Sequence, residues 1–197
     1  LQAQINPHFL FNTLNSFIAL NQMSMRGELE SAIYSLTRML RYSLGEGSTS
    51  TVAQELEFLE NYCMLQKLRF QKRLEYRIQY DPDTGQTRIP KLLLQPLVEN
   101  AFRHGFEDTP NHKQILVSIC RRRGFLELRI FNDGATVSHE RLARVRFLLD
   151  PDCQENTMDC YALRNLSRRL RLLFGEKSRV TLRSGAGTGT IVSLRIP

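Results

Sequence analysis

The chain has 197 residues, 42% of them hydrophobic and 24% charged, and a formal net charge of +7 at pH 7. These fractions are ordinary for soluble globular proteins, and the length allows one domain or two small ones, so disorder is not the starting assumption. The basic balance favours anionic partners such as nucleotide phosphates, nucleic acid or acidic lipid, although most charge runs are only solvated faces.

The four cysteines, Cys63, Cys120, Cys153 and Cys160, form no C-x-x-C pair and have no histidine at metal-ligand spacing. We therefore expect reduced thiols in a cytosolic setting and neither a zinc site nor a disulfide framework. No stretch approaches the roughly 20 apolar residues that cross a bilayer, and no signal peptide opens the chain. Any membrane anchor is expected to lie outside this chain.

Apolar residues recur at helical spacing between residues 6 and 44, and no proline or glycine follows Gly27 there. This pattern predicts one long amphipathic helix. Residues 45–50, rich in Gly, Ser and Thr, predict a turn. Thr51 stands three residues before Gln54, in capping-box register for a second helix with an apolar face. Two such helices form an αα-hairpin and two hairpins form a four-helix bundle, so this region is a candidate dimerisation unit.

The pattern changes to alternation after a predicted domain boundary near residue 72. Strands are predicted at residues 74–80, 115–122, 125–131, 180–182 and 190–196, with Arg123-Gly124 as a hairpin turn. Helices are predicted at residues 90–104, 140–149 and 162–174. An antiparallel sheet with helices on one face is an α+β sandwich, expected over residues 73–197.

Two long runs carry a family resemblance. The run Gln4-Ile-Asn-Pro-His-Phe-Leu-Phe-Asn-Thr-Leu-Asn15 resembles the histidine box of LytS-type sensor histidine kinases. The run Pro90-Lys-Leu-Leu-Leu-Gln-Pro-Leu-Val-Glu-Asn-Ala-Phe-Arg-His-Gly105 resembles the N box of the same family, which belongs to the GHKL ATPases. Weaker likenesses at residues 62–70 and 187–197 extend the resemblance over the whole chain. It implies a dimerising, histidine-phosphotransfer hairpin over residues 1–72 and a GHKL (Bergerat) ATP-binding sandwich over residues 73–197.

His8 shares a helical stripe with Asn12 and Asn15, which predicts an exposed imidazole. If Asn6 caps the helix and Pro7 takes its first position, the helix dipole favours the neutral imidazole that attacks phosphorus. A helix that enters from upstream and kinks at Pro7 is the alternative, and it would remove this effect. The resemblance implies that His8 is the phosphoacceptor.

The resemblance also assigns roles within the N box. The side-chain oxygen of Asn100 would help to coordinate Mg²⁺ on the ATP phosphates, as a hard ligand for a hard cation. Glu99 would orient or deprotonate the attacking imidazole. Arg103 and His104, three and four residues beyond Asn100, would project from the same helix face towards the phosphates.

The expected nucleotide-base site departs from the family pattern Asp-x-Gly-x-Gly. This chain has Asn132-Asp133-Gly134-Ala135-Thr136, so a neutral and therefore weaker acceptor stands where the adenine-reading carboxylate is expected. In an extended segment Asp133 would face the other way, although a local bulge could present it. We predict that Asn132, Asp133 and Gly134 bind the nucleotide.

The second glycine box is altered as well, because Cys160-Tyr-Ala162-Leu163-Arg164-Asn-Leu166 replaces the family pattern Gly-x-Gly-Leu-x-Asn-Val. A left-handed residue with a Cβ costs about 1–2 kcal/mol. The next helix still begins close by, so its amides and Arg164 can face the phosphates. We predict that Cys160, Ala162, Leu163 and Arg164 contact the nucleotide, with weakened ATP affinity or an ordered lid.

The resemblance implies an enzyme: a sensor histidine kinase of a two-component system that uses ATP and Mg²⁺ to phosphorylate His8 and passes the phosphoryl group to an aspartate of a response regulator. It also implies a homodimer, a separate upstream sensor and transmembrane region, and a position on the cytoplasmic side of the inner or plasma membrane. The altered boxes keep open a pseudokinase, a dimeric signalling or scaffolding module with little or no ATP use. Nucleic-acid binding lacks a recognised module and ranks last. A gyrase-type ATPase would not account for the histidine box.

Overall fold

The computed structural model describes residues 6–106, 113–134, 136–150, 153, 155, 160–185 and 188–197. Its N-terminal part is helical and comprises α1 (Pro7–Gln22), α2 (Arg26–Leu44) and α3 (Val52–Phe70). The remainder is a mixed sheet packed against helices. The predicted α+β class is therefore confirmed.

The single helix predicted over residues 6–44 is wrong, because the chain breaks between α1 and α2. Ser24 adopts a left-handed backbone with φ of 58°. The amides of Met23 and Met25 donate to the carbonyls of Ala19 and Leu20 and close the end of α1. Apolar periodicity continues on both sides of the break, so it does not reveal the reversal. The predicted hairpin is formed by α2 and α3, and α1 folds back against both of them.

Helix α3 is the centre of the N-terminal part. Its start is the predicted capping box, in which Thr51 and Gln54 exchange side-chain to backbone hydrogen bonds of 3.2 and 2.9 Å. Buried residues occur on almost every turn, because α3 lies between α1 and α2 on one side and the sandwich on the other. The ring of Tyr62, for example, contacts Phe9 of α1 on one side and Phe102, in the helix Gln95–Phe106, on the other.

Five of the described strands form one sheet in the order β2-β4-β5-β7-β6. Their bounds are β2 (Leu74–Tyr80), β4 (Lys113–Arg122), β5 (Phe125–Asn132), β6 (Arg179–Gly185) and β7 (Gly189–Ile196). The predicted all-antiparallel pairing is wrong for one pair, since β2 runs parallel to β4. Parallel neighbours need a crossover connection, and the helix between them supplies it. The predicted hairpin is confirmed, with positive φ at both Arg123 and Gly124.

Helices α4 (Gln95–Phe106), α5 (His139–Leu148) and α6 (Tyr161–Phe174) pack on the buried face of the sheet. Helix α4 begins five residues later than predicted. The preceding residues instead form β3 (Arg88–Pro90), which pairs with β1 (Thr49–Thr51), and Leu92 then takes a left-handed backbone. Because β1 precedes α3 and β3 follows it, this pairing joins the segments on either side of the predicted boundary near residue 72.

Candidate functional site

A cleft of about 560 Å³ lies between the start of α1, the C-terminal half of α3 and helix α4. Five of the predicted site residues line it, and four of these come from α1 and α4: His8, Glu99, Asn100 and Arg103. Ala162, at the start of α6, reaches the same cleft. The fold therefore brings the histidine box and the N box together at one place.

His8 lies in the first turn of α1. The Asn6 side chain accepts a 3.0 Å hydrogen bond from the His8 amide, and Pro7 occupies the first helical position. This is the capped start that was one of the two predicted alternatives. The His8 residue is exposed, and the Asn12 side-chain nitrogen lies 3.3 and 3.4 Å from its two ring nitrogens. The imidazole is thus held near the cleft and remains accessible.

Glu99 is a half-buried carboxylate on the cleft side of α4. Burial raises the pKa of Glu99, while the hydrogen bond from Gln95 and the charge of Arg103 act in the opposite direction. The Gln95 side-chain nitrogen donates to Glu99 Oε1 at 2.8 Å. A carboxylate whose pKa is raised is better matched to accepting a proton near neutral pH.

Asn100 follows Glu99 and offers its amide oxygen at the cleft. This oxygen accepts a 3.0 Å hydrogen bond from the Arg103 guanidinium, one turn further along α4. The pair presents a polarised oxygen and a cation side by side. The side chain of His104 lies outside the described residues, so its predicted role stays a prediction.

Four polar residues on one face of α3 and the turn after it also line the cleft: Tyr62, Gln66, Arg69 and Arg73. The Gln66 side chain donates to the buried Tyr62 hydroxyl at 2.8 Å. Burial raises the pKa of Tyr62, and the charge of nearby Glu99 raises it further. No role is predicted for these residues from the sequence, although their spacing of four, three and four residues is the signal of a polar helix face.

A buried carboxylate on α3 fixes the loop that leads into α4. Glu55 has no exposed surface, and its oxygens accept hydrogen bonds from the amides of Leu92 at 2.5 Å and Leu94 at 3.2 Å. The hydroxyls of Tyr42 and Ser50 donate to the same carboxylate. Glu55 therefore connects α2, β1 and the left-handed turn at Leu92. The placement of Glu99 and Asn100 depends on these contacts, which the apolar pattern of α3 does not predict.

The predicted base-binding residues lie at the end of β5, apart from those that line the cleft. Asn132 is buried on the helix-facing side of the sheet, in line with Leu128 and Ile130. The Asp133 carboxylate accepts a 2.6 Å hydrogen bond from the Gln114 amide. The Asp133 carboxylate is thus engaged by the end of the neighbouring strand β4. Gly134 follows it, and residue 135 lies outside the described residues.

The second glycine box contains the left-handed residue that the family pattern predicts. Cys160 has φ of 54° and ψ of 26° and directly precedes α6. Ala162 lines the cleft and Leu163 is buried in the core. The buried Arg164 donates to the Glu155 carbonyl at 2.6 Å, so its guanidinium is directed at the segment before α6. Among these residues, Ala162 is the one that the structure brings to His8.

Comparison with known proteins agrees with this geometry. A family model described as histidine kinase matches residues 1–74. Over the whole chain, an uncharacterized sensor-like histidine kinase of Staphylococcus epidermidis is 32% identical, and the sensor protein kinase HptS of Staphylococcus aureus is 30% identical. Residues 1–74 match the histidine kinase family, and the whole chain is similar to sensor histidine kinases. The chain spans 38% and 37% of the lengths of those two relatives.

Solved histidine kinase structures share the fold at low sequence identity. The catalytic domain of histidine kinase ThkA superimposes with a TM-score of 0.54 and 12% identity, covering 78% of this chain and 96% of that domain. The histidine kinase domain of a blue-light-activated kinase from Erythrobacter litoralis superimposes with a TM-score of 0.51 and 18% identity. That alignment covers 89% of this chain and 82% of the other. Among the described helices of this chain, none is both long and apolar enough to cross a bilayer.

Proposed function

We propose that this chain is the kinase part of a two-component sensor, which transfers the γ-phosphoryl group of ATP to His8. The observation that carries the proposal is the shared cleft, since His8, Glu99 and Asn100 come from α1 and α4 and line one space. Positioning of nucleophile, base and phosphate is the main contribution that a protein makes to phosphoryl transfer.

In the proposed step a ring nitrogen of His8 attacks the γ-phosphorus. The nitrogen–phosphorus bond forms while the bond to the bridging oxygen breaks, and ADP leaves with that electron pair. The imidazole proton passes to Glu99, whose raised pKa favours acceptance. The exposed ring and the half-buried base line the same cleft from two elements, α1 and α4.

The residues present are compatible with Mg²⁺ as a companion of the ATP phosphates. Asn100 offers a hard oxygen, and Mg²⁺ commonly takes only one or two protein ligands, with water and phosphate oxygens completing its shell. The described residues contain no group of three or more His, Cys, Asp or Glu side chains that could hold a metal by themselves. Mg²⁺ would neutralise charge on the phosphates.

The proposed partners follow from the same assignment. The phosphoryl group on His8 would pass to an aspartate of a response regulator. The exposed apolar residues Phe11, Leu14 and Ile18 form one stripe on α1, which suits the predicted homodimer. The sensor and transmembrane region would belong to the rest of the protein, with this chain on the cytoplasmic side of the membrane.

The base end supports a second candidate function, a pseudokinase that signals through its dimer. Asp133 is engaged with the Gln114 amide, Asn132 is neutral, and Cys160 holds a left-handed backbone despite its Cβ. Each feature is expected to weaken nucleotide binding, and none changes His8, Glu99 or Asn100. We rank this function second because the groups needed for chemistry are present and share one cleft.

Incubation with γ-labelled ATP and Mg²⁺ tests the proposal, comparing the wild type with His8→Gln and Asn100→Ala. We expect label on the wild type, none on His8→Gln and little on Asn100→Ala. Equal labelling of the wild type and His8→Gln would reject His8 as the acceptor. Nucleotide binding without labelling of any variant would support the pseudokinase.

A further inference from the structure

We propose that Arg69 and Arg73, together with Arg103, form an anion site that binds the phosphoryl group during its transfer to His8. The inference rests on the proposed function and extends it, because it assigns part of the transfer chemistry to α3 and the turn after it. Arg69 lies in the last turn of α3, and Arg73 ends the short 3-10 helix Gln71–Arg73 that follows. Both residues line the cleft that contains His8.

An aromatic ring holds both guanidinium groups at the cleft wall. The Arg69 and Arg73 guanidinium carbons lie 5.0 and 5.9 Å from the centre of the Phe70 ring. That ring is stacked on Phe102 of α4, with a centroid distance of 5.9 Å and an interplanar angle of 8°. Cation–π contact orients a guanidinium without using its N–H donors, which remain available for an anion.

The charges of the cleft favour an anion. Three guanidinium groups line it, and the one carboxylate among its lining residues is the half-buried Glu99. Neither Arg69 nor Arg73 has an ion pair within the part of the chain that the structure describes, whereas other arginines do, as in Arg38–Glu57, Arg144–Glu155 and Arg171–Glu176. Like charges brought together are destabilising, and a bound dianion removes that repulsion.

The chemical class of the ligand follows from the donors and the neighbours. A guanidinium binds phosphate oxygens through paired N–H donors, and charge in phosphoryl transfer is spread over three equatorial oxygens. His8 supplies the nitrogen that receives the phosphorus, and Arg103 approaches from α4. Arg69 and Arg73 would therefore contact the oxygens of the migrating phosphoryl group and of phosphorylated His8.

The first arm of the test uses ATP and compares Arg69→Gln, Arg73→Gln and the matched control Arg122→Gln. Arg122 is exposed and ends strand β4. The other end of β4, at Lys113, pairs with Leu74 next to the cleft residue Arg73, so Arg122 lies at the far end of the sheet. We expect His8 labelling to slow about tenfold or more in the two cleft variants, the size of a lost charge-assisted hydrogen bond, with the Mg-ATP dissociation constant little changed. Arg69→Lys keeps the charge but loses the paired donors, so its rate of His8 labelling should lie between those of the wild type and Arg69→Gln.

The second arm uses phosphoramidate and does not depend on ATP. A ring nitrogen of His8 attacks the phosphorus of phosphoramidate, and the donor's phosphorus–nitrogen bond breaks. Phosphohistidine forms, and ammonia leaves and takes up the proton that the imidazole loses. We expect slower formation and a shorter lifetime of phosphorylated His8 in Arg69→Gln and Arg73→Gln than in Arg122→Gln. Phosphorus NMR and intact mass follow both quantities.

The two arms separate failure of the anion site from failure of the kinase assignment. Slower phosphorylation by phosphoramidate in the cleft variants supports the site even if ATP labels no variant, and in that case the kinase assignment alone falls. Equal rates for the cleft variants and Arg122→Gln in both arms would overturn the site. So would a loss of Mg-ATP affinity by the same factor as the rate, since the arginines would then act only in nucleotide binding.

Discussion

The two ends of the proposed nucleotide site differ in how much of their chemistry they retain. At the phosphate end, His8, Glu99 and Asn100 line one cleft and each has a group suited to phosphoryl transfer. At the base end, Asn132 carries no charge and the Asp133 carboxylate is bound to the Gln114 amide. The end proposed to perform the transfer keeps its expected residues, and the end expected to recognise the base is altered.

The difference indicates that affinity and chemical rate can change separately in this fold. Contacts to the base are made equally in the ground state and in the transition state, so losing them raises KM more than it lowers kcat. A nucleophile and its base act in the transition state itself. The altered base end therefore predicts weak ATP binding together with a preserved transfer step.

Glu99→Gln should have the largest effect. Loss of a general base lowers a rate by roughly 10²–10⁴-fold, so we expect His8 labelling at saturating Mg-ATP to fall by that order. The carboxylate is required, and burial raises its pKa, so the wild-type rate should fall as the pH drops through a value above the ordinary range of glutamate. The rate of His8 labelling, measured as a function of pH, shows this acidic fall. If the same fall at low pH persists in Glu99→Gln, Glu99 is not the base.

Gly189→Ala should disrupt the base end through its backbone. Gly189 has φ of 71°, and a Cβ there would collide with the Asn132 carbonyl oxygen and approach the Asp133 Cα to 2.9 Å. We expect a loss of about 2–4 kcal/mol in the free energy of unfolding, from left-handed strain plus overpacking. Urea denaturation measures it. Gly124→Ala is the control, since φ is 80° there but the space is open, and an equal loss in both variants would exclude the collision.

Glu55→Gln should weaken the connection between the hairpin and the start of α4. Removing the charge that accepts from the Leu92 and Leu94 amides is expected to cost about 2 kcal/mol of unfolding free energy. Exchange of those two amides with solvent should accelerate, as measured by hydrogen exchange. Glu57→Gln, which loses only an exposed ion pair with Arg38, should cost roughly 0–1 kcal/mol. Unchanged amide exchange in Glu55→Gln would contradict the role of Glu55.

Cys160→Gly should have the smallest effect and a favourable one. It removes the left-handed strain before α6, so we expect a gain of about 1 kcal/mol in stability and a few-fold tighter Mg-ATP binding. Calorimetry measures both quantities. Arg123→Gly relieves a similar strain at the distant hairpin and should raise stability without affecting the nucleotide. If both variants leave the Mg-ATP affinity unchanged, Cys160 is not part of the nucleotide site.

The sequence predicts those parts of the fold whose signals are local. Strand β2, the hairpin turn at Arg123-Gly124 and the capping box at Thr51 occur where alternation, turn residues and capping register indicate them. The break at Ser24 is not predicted, because a serine in a left-handed turn leaves the helical periodicity intact. The parallel pairing of β2 with β4 depends on a crossover between residues far apart in the chain.

The candidate site likewise contains residues that the sequence predicts and residues that only the folded chain reveals. His8, Glu99 and Asn100 stand in long runs whose pattern can be compared with a family, and the structure places them in one cleft. Glu55 is a single acidic residue in an apolar helix, and its meaning depends on Leu92 and Leu94, which only the folded chain brings to it. Side chains that act through tertiary contacts leave no periodic signal in the sequence.

The central proposal is that His8 meets a phosphate held by the N box. Because both line one cleft of a single chain, we expect the N box of the same chain to supply it, and mixed dimers test this most directly. Differently tagged His8→Gln and Asn100→Ala chains are co-expressed, purified as mixed dimers and incubated with γ-labelled ATP, with wild-type and His8→Gln mixed dimers as the labelled reference. We predict label on the wild-type chain of the reference and none on either chain of the test dimer. Label on the Asn100→Ala chain would contradict the account, because its His8 would have received phosphate from the partner.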